Sequence, residues 1–391
     1  MKLKEQKTNW KYPQMGEVCN FIGGSQPPKS EFIFEPKEGY VRLLQIRDYK
    51  SDKNITYISQ QKARRFCSKD DIMIGRYGPP LFQILRGLEG AYNVALMKAS
   101  PKNANILDRE YLYYFLKNER LFNYVVSNSE RTAGQDGVKK ELLETYQIPL
   151  PPLEEQKRIA AILDKADAIR RKRKEAIALT EELLRSTFLD MFGDPVTNPK
   201  GWKVVKFEEI FESIRYGTST PPIFEDKGIP FVRATNIKNG TIVTNDLRFI
   251  SSVEARKIEK CKLKYGDIVI VRSGVNSGDS AFISKEYENA YAGYDMIIDI
   301  SPSLSIFYNY LINDNSGKQM IEPLTRRAGQ PHLNADQVRN LEFILPPQNL
   351  IIDFNEVFDI YNLEKQKLDI SLGYLDNLFN SLLQKAFRGE L

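Results

Sequence analysis

At 391 residues the chain is too long for one ordinary domain, and its 42% hydrophobic and 27% charged residues exclude disordered and collagen-like classes. No run of 18 or more apolar residues offers a membrane-spanning helix. The charge excess is only +5, from 56 basic and 51 acidic side chains, which permits nucleic-acid binding without demanding it.

The opening segment, "MKLKEQKTNWKYPQM", has no apolar core, so no secretory leader is expected. Cys19, Cys67 and Cys261 are widely spaced and form no C-x-x-C, which argues against a disulfide framework or a zinc site and fits a reducing cytoplasm. Short alternating runs between Gly, Asn, Asp and Pro follow, among them "GYVRLLQIRD" from Gly39 and "DDIMIGRYG" from Asp70. These read as strands of a twisted sheet. "LDREYLYYFLKNERLFNYVVS" from Leu107 reads as helical, and "TAGQDGVKKELLETYQIPLPP" from Thr132 closes on Pro151-Pro152. Proline suits the first turn of a helix, and the next helix-ending sequence is "FGDP" at Phe192, so one helix of about 40 residues is predicted.

Beyond it the same series returns. "IPFVRATNIKNG" from Ile229, "GDIVIVRSG" from Gly266 and "YDMIIDI" from Tyr294 read as strands, and "SIFYNYLINDNSGKQMIEPL" from Ser305 as helix. "RAGQPHLNADQVRNLEFILPP" from Arg327 leads to a second long helix ending in "FRGEL". Ala133-Gly134-Gln135 pairs with Ala328-Gly329-Gln330, and Pro151-Pro152 with Pro346-Pro347, at a constant offset of 195 that runs ungapped to Phe192 and Phe387. Earlier blocks match with a drifting offset: Trp10 with Trp202, Arg42 with Arg233, Gln45 with Asn236, Arg76 with Arg272. One ancestral unit present twice is the economical reading, a pseudo-dimer within one chain.

The expected fold class is therefore α+β: two α/β domains in pseudo-twofold arrangement, joined by two long antiparallel helices forming a coiled coil. The boundaries are 1–152 and 194–347 for the domains, 153–193 and 348–391 for the helices. The apolar seam is predicted at Phe354, Val357, Tyr361, Leu368, Leu375, Leu378 and Leu382 of the second helix. Its first-helix counterpart is the weaker set Ile159, Ile162, Ala166, Arg173, Thr180, Leu183 and Thr187. A helix of about 40 residues is a rod of roughly 60 Å, too long to leave its stripe uncovered.

Known catalytic patterns are missing. "GPPLF" at Gly78 and "TPPIF" at Thr220 resemble the proline-proline-aromatic motif of amino-group DNA methyltransferases, yet Gly and Thr stand where Asn, Asp or Ser must hold the target amino group. "RSGVNSGDS" from Arg272 lacks the Lys-Ser/Thr of a P-loop, and His332 has no Cys or His at ligand spacing. The paired strands "YVRLLQIRD" and "FVRATNIKN" carry the side-chain types that read base edges, although a polar strand edge looks the same in sequence. Arg170-Arg171-Lys172-Arg173-Lys174 encircles its helix, and the second copy, "NLEKQKLD" from Asn362, is nearly neutral. It reads as a solvated patch, a phosphate contact or a contact with an acidic partner.

Taken with "IPLPPLEEQKRIAAILDKAD", "TFLDMFGDP", "AGQPHLN" and "LLQKAFRGEL", the chain resembles, over its whole length, the specificity subunits of type I restriction–modification systems. The second copy departs from the pattern, with Gln348-Asn349-Leu350-Ile351 in place of Leu-Glu-x-Gln. The resemblance implies two target-recognition domains that each read half of a split, asymmetric double-stranded DNA target, with the helix pair setting the unread spacer. It also implies a non-catalytic cytoplasmic subunit without cofactor of its own. Two methyltransferase subunits would bring S-adenosylmethionine, and restriction subunits would bring ATP.

On that reading the DNA-facing residues are Arg42, Gln45, Arg47, Arg76, Tyr77 and Gln135 in the first domain, and Arg233, Asn236, Lys238, Arg272, Ser273 and Gln330 in the second. Partner contacts are expected at Glu154, Glu155, Gln156, Arg170, Arg171 and Arg173. Two other readings stay open on residues alone: a self-contained methyltransferase with unrecognised motifs, and a coiled-coil scaffold that never touches DNA.

Overall fold

A computed structural model describes residues 9–129, 131–132, 135–326 and 331–391, with backbone alone for 131, 132, 135 and 136. Gln330 and the side chain of Gln135 therefore lie outside the described residues. The chain forms two compact units: the chain through Lys174 together with Ile370–Leu391, and Glu175–Asp369. Each long helix is thus shared, giving one half to each unit.

The first unit holds two four-stranded sheets. One is antiparallel, in the order Cys19–Gly23, Leu96–Pro101, Ile72–Gly75, Gln83–Leu85. The other runs Tyr57–Ser59, Tyr40–Leu44, Gly90–Tyr92, Phe66–Cys67, with a parallel pair at its centre that sets Leu43 opposite Ala91. The second unit repeats this plan. Ser213–Tyr216, Met296–Asp299, Ile268–Ile270 and Ser280–Phe282 make the antiparallel sheet. Phe224–Glu225, Arg248–Ile250, Ile229–Val232 and Tyr291–Ala292 make the mixed one, with Phe231 opposite Tyr291 in the parallel pair.

"DIMIG" and "DIVIV" are continuous apolar runs because their strands are covered on both faces. Alternation sends Ile72 and Ile74 into the helix-lined core and Met73 into the cluster with Leu44 and Tyr92. Ile268 and Ile270 part from Val269 and Val271 in the same way. A close backbone approach also recurs. A Cβ on Gly24 would lie 1.9 Å from the carbonyl oxygen of Asn93, and one on Gly217 would lie 1.7 Å from that of Gly293. Only glycine fits either place.

Each predicted helical interlude is a pair of helices. Arg109–Leu116 and Glu119–Ser127 start on Asp108 and Asn118, whose side chains accept from the amides of Tyr111 and Arg120, both at 2.8 Å. Pro302–Asn313 opens on a first-turn proline, and Asn315–Thr325 follows it. Tyr111 donates its hydroxyl to the carbonyl of Pro149 at 2.7 Å, and Tyr308 donates to that of Ile344 at 3.2 Å. Those two carbonyls stand 195 residues apart, so the same tie fastens each interlude to the extended segment that precedes a long helix.

The long helices span Leu153–Phe192 and Gln348–Ala386. Gly193 and Gly389 follow them at φ +77° and +71°, the left-handed turn that ends a helix. Within the first unit the two halves run antiparallel, since Arg158 donates to the carbonyl of Leu391 at 2.8 Å and Arg170 to Asp376 at 2.6 Å. Within the second, Glu181 meets Lys365 at 3.1 Å, and the rings of Phe188 and Phe354 stand 5.4 Å apart. Both halves also enter the globular cores. Phe379 and Phe387 pack with Tyr114, Tyr111 and Phe115 in the first unit, and Phe188 and Phe192 pack with Phe307 in the second.

The buried seam steps by three and four residues from Gln156 to Met191 and from Ile351 to Ala386, and the two seams keep the 195 offset. The sequence-derived seam is one residue out at several positions, Thr187 and Leu382 among them, where Phe188 and Leu383 are the buried residues. Leu163, Leu184, Phe358 and Phe379 are buried in place of Ile162, Leu183, Val357 and Leu378, and Leu183 and Leu378 are 66% and 54% exposed. Adjacent apolar residues differ by 100° around a helix, so a pair such as Leu183-Leu184 leaves the face ambiguous until the core is known.

Candidate nucleic-acid interface

Each unit brings two chain segments together at the end of its central antiparallel strand. In the first, Tyr77 bridges to Gly137, and the amide of Val138 donates to the carbonyl of Arg76 at 2.9 Å. In the second, Ser273 bridges to His332, and the amide of Leu333 donates to the carbonyl of Arg272 at 2.8 Å. The Arg-x-Gly strand end is therefore joined to the segment just past Ala-Gly-Gln in both copies. A Cβ on Gly137 would stand 2.7 Å from the Tyr77 ring, so a larger residue here would have to displace that ring.

The two equivalent arginines are held differently. Arg76 donates from Nε to Val138 at 3.2 Å and from Nη1 to Val94 at 3.4 Å, and its guanidinium lies 5.4 Å over the Tyr77 ring. Arg272 stands between two rings, 4.6 Å from Tyr216 and 4.5 Å from Tyr294. Its backbone amide donates to the carboxylate of Asp295 at 3.1 Å. Burial pushes that carboxyl up to about 6, against the pull of the Arg272 amide and charge. Ser273 Oγ lies 2.7 Å from His332 Nδ1.

A second cluster surrounds the short helical turn after each parallel strand. Gln45 begins one turn, with its amide donating to Asp48 at 2.8 Å, and Arg233 begins the other, with its amide donating to Asn236 at 3.2 Å. The parallel pairs Leu43–Ala91 and Phe231–Tyr291 make Gln45 the counterpart of Arg233, and Asp48 that of Asn236. The sequence alignment of Arg42 with Arg233 is thus three residues out. The similar spelling of "VRLLQ" and "VRATN" conceals the difference.

Not every predicted reader is available. Asn236 is fully buried, donating to the carbonyls of Val243 at 3.2 Å and Asn245 at 3.1 Å, so it holds the loop and presents nothing to a groove. Arg42 pairs with Asp52 at 2.8 Å and Arg233 with Asp246 at 2.8 Å. The hydrogen bond from Arg233 in turn holds the Asp246 carboxyl below the usual carboxylate range. Gln45 reaches Thr56 at 3.2 Å. Arg47 is exposed, with bonds to the Asn54 carbonyl at 3.3 Å and Thr56 at 3.4 Å, and Lys238 is exposed as well.

On the helices, Glu154 and Glu155 form exposed pairs with Lys157 at 2.9 Å and Arg158 at 2.7 Å. Gln156 corrects its expectation. It is fully buried, accepting from the amide of Asp108 at 2.8 Å and donating to Ile106 and Pro151, both at 2.9 Å. Arg170 is likewise turned inward, onto Asp376, Asp167 at 2.9 Å and the Phe379 ring at 4.3 Å. Arg171 is exposed, 3.8 Å from both Asp164 and Asp167, and Arg173 sits half-buried on the seam. Sequence reasoning missed Tyr216 and Tyr294, which reach Arg272 from distant strand ends, and no local pattern marks them. It also missed the exposed pairs Leu179/Leu183 and Tyr374/Leu378, whose members correspond at the 195 offset.

Among the described residues no group of three or more His, Cys, Asp or Glu side chains is placed to hold a metal ion. The family model for the type I restriction modification DNA specificity domain matches residues 7–179 and again 199–370. The chain is 24% identical to the MjaVIII type I restriction enzyme specificity subunit of Methanocaldococcus jannaschii, with 86% of this chain and 82% of the relative aligned. It is 24% identical to the EcoKI specificity subunit of Escherichia coli K12, over 98% and 89% of the two chains. Its fold matches the S subunit structure from M. genitalium with a TM-score of 0.59 at 14% identity, covering 99% of this chain and 98% of that one. A chain from a structure of the type I R-M system matches with a TM-score of 0.51 at 20% identity, over the full length of both. With two matches that together cover most of its length, the chain belongs to the type I restriction–modification DNA specificity family.

Proposed function

We propose that this chain supplies the DNA sequence specificity of a type I restriction–modification enzyme, each unit reading one half of a split target. The observation that carries this reading is a repeated frame with unlike contents. The same strand end and returning segment occur twice, yet Arg76-Tyr77 in one copy corresponds to Arg272-Ser273 in the other, and Gln45 has Arg233 as its counterpart. Equivalent scaffolds with different side chains suit two different half-sites.

The chain would carry out no chemistry. Its part is to place two methyltransferase subunits on DNA, and those partners would hold S-adenosylmethionine, while restriction subunits would hold ATP. The repeated exposed pairs Leu179/Leu183 and Tyr374/Leu378 favour two copies of one partner, since the same apolar face is offered twice. A cytoplasmic location follows from this role, and among the described residues no helix is long and apolar enough to cross a membrane.

Expressing the chain with and without its methyltransferase subunit, and mapping adenine methylation, tests the proposal. Methylation at a defined split sequence that requires both chains is expected. Methylation or S-adenosylmethionine binding by the chain alone would favour a self-contained enzyme. A complex with no DNA selectivity would favour a protein scaffold.

A further inference from the structure

Five arginines belong to the two candidate reading ends, and four have polar partners already, Arg47 being bonded to the Asn54 carbonyl and Thr56. Asp52 takes one terminal nitrogen of Arg42 and Asp246 one of Arg233, both arginines keeping Nε buried without a partner, and Arg76 spends two of its three nitrogens on backbone carbonyls. The guanidinium of Arg272 has no carboxylate or hydrogen-bond partner among the described residues, and its Nε is buried without one. It is nevertheless well held. Tyr216 and Tyr294 flank it at 4.6 and 4.5 Å, Asp295 fixes its backbone, and the Tyr216 hydroxyl accepts from the amide of Ala335 at 3.2 Å.

Rings hold an arginine by a different route from a carboxylate. A carboxylate occupies the fork, whereas cation–π contacts fix the guanidinium and leave its donors unspent. With Nε enclosed, the terminal amino groups are the donors left to meet a ligand. Among its described residues the first unit has no such clamp. Gly24 and Gly217 donate to the carbonyls of Leu96 and Asp295, so Gly23 stands in place of Tyr216 and Ala95 in place of Tyr294. The device belongs to the second reading head.

We infer that Arg272 reads a guanine edge in the half-site bound by the second unit, with Tyr216 and Tyr294 as its positioning residues. The inference rests on the reading of that unit as a DNA reader. A phosphate contact needs charge but little orientation. A bidentate bond to guanine O6 and N7 needs a fork held in a fixed plane, which is what two flanking rings provide.

The test selects bound sequences from a random duplex library, using the full chain assembled with its methyltransferase subunit. Arg272→Lys keeps the charge and removes the fork. It should lower discrimination at a single G·C pair by roughly ten- to a hundredfold and leave the other half-site unchanged, which also reports an intact fold. Tyr294→Leu should relax the same base pair, and Tyr294→Phe should restore it. Unchanged selectivity in Arg272→Lys, or an Arg272→Ala variant that loses affinity equally for every sequence, would overturn the base-reading role. Relaxation by Tyr294→Leu at any other position would overturn the positioning role. A wild-type complex that selects no sequence would instead overturn the reading of the whole chain, and this inference with it.

Discussion

Arg170 donates to Asp376 at 2.6 Å, and shifting both residues by the repeat offset turns this ion pair into the one between Lys365 and Glu181, at 3.1 Å. The basic member moves from the first long helix to the second, and the acidic member moves back from the second to the first. The basic cluster therefore contains one residue of a repeated device. Arg171, which Gln366 replaces in the second copy, belongs to the surplus.

The two ion pairs should differ in weight. Both cations meet two carboxylates, but Arg170 is mostly buried and laid on the Phe379 ring, whereas Lys365, between Glu181 and Asp369, is more open to water. Arg170→Ala should lower stability by about 1–3 kcal/mol, and Lys365→Ala by about 1 kcal/mol or less. Urea melts of the two variants check this, and equal losses would contradict it.

The exposed pairs of the long helices should matter for assembly and not for folding. Leu183→Glu and Leu378→Glu alter side chains that lie off the seam, so melting should stay within about 0.5 kcal/mol of the parent. Each single variant should bind one methyltransferase subunit, and the double variant none, by native mass spectrometry. Full occupancy in the double variant would remove this face from the interface.

The number of residues in the long helices should set the unread spacer. Four added residues extend a helix by about 6 Å. The spacer should lengthen while both half-sites stay as they were, as read from methylated sites in cells. An unchanged spacer would refute the ruler.

Asp295 gives the second unit a defined pH response. Its carboxyl, pushed up to about 6 by burial, binds a proton more tightly in the folded chain than in the unfolded one. Its contribution to stability is therefore fully present below the ordinary carboxylate value and is lost as pH rises through about 6. Asp295→Asn keeps the acceptor for the Arg272 amide and removes the titration. The difference between variant and parent should change by about 2 kcal/mol between pH 4 and pH 7, with the variant relatively more stable at the higher pH. A constant difference across that range would contradict the assignment.

The repeat, the long helices and their glycine stops were legible in the sequence, because each is written locally as a prolyl start, a 3-4 spacing or a constant offset. What escaped was decided by packing. Gln156 looked like an exposed acidic-face residue, but its amide caps the helix entrance through Asp108, a partner 48 residues away. Asn236 had a base-reading side chain by type, yet its loop needed that amide for two carbonyls. Residue type states what a side chain can bond, and only the fold shows whether those bonds are already made. The Tyr216–Arg272–Tyr294 stack joins three segments that no spacing rule connects.

The most direct test of the central claim is the methylome of cells carrying this chain with its methyltransferase subunit. Two unlike half-sites separated by a fixed unread spacer are predicted, matching two like frames with unlike side chains. A palindromic target, or one continuous site, would contradict it.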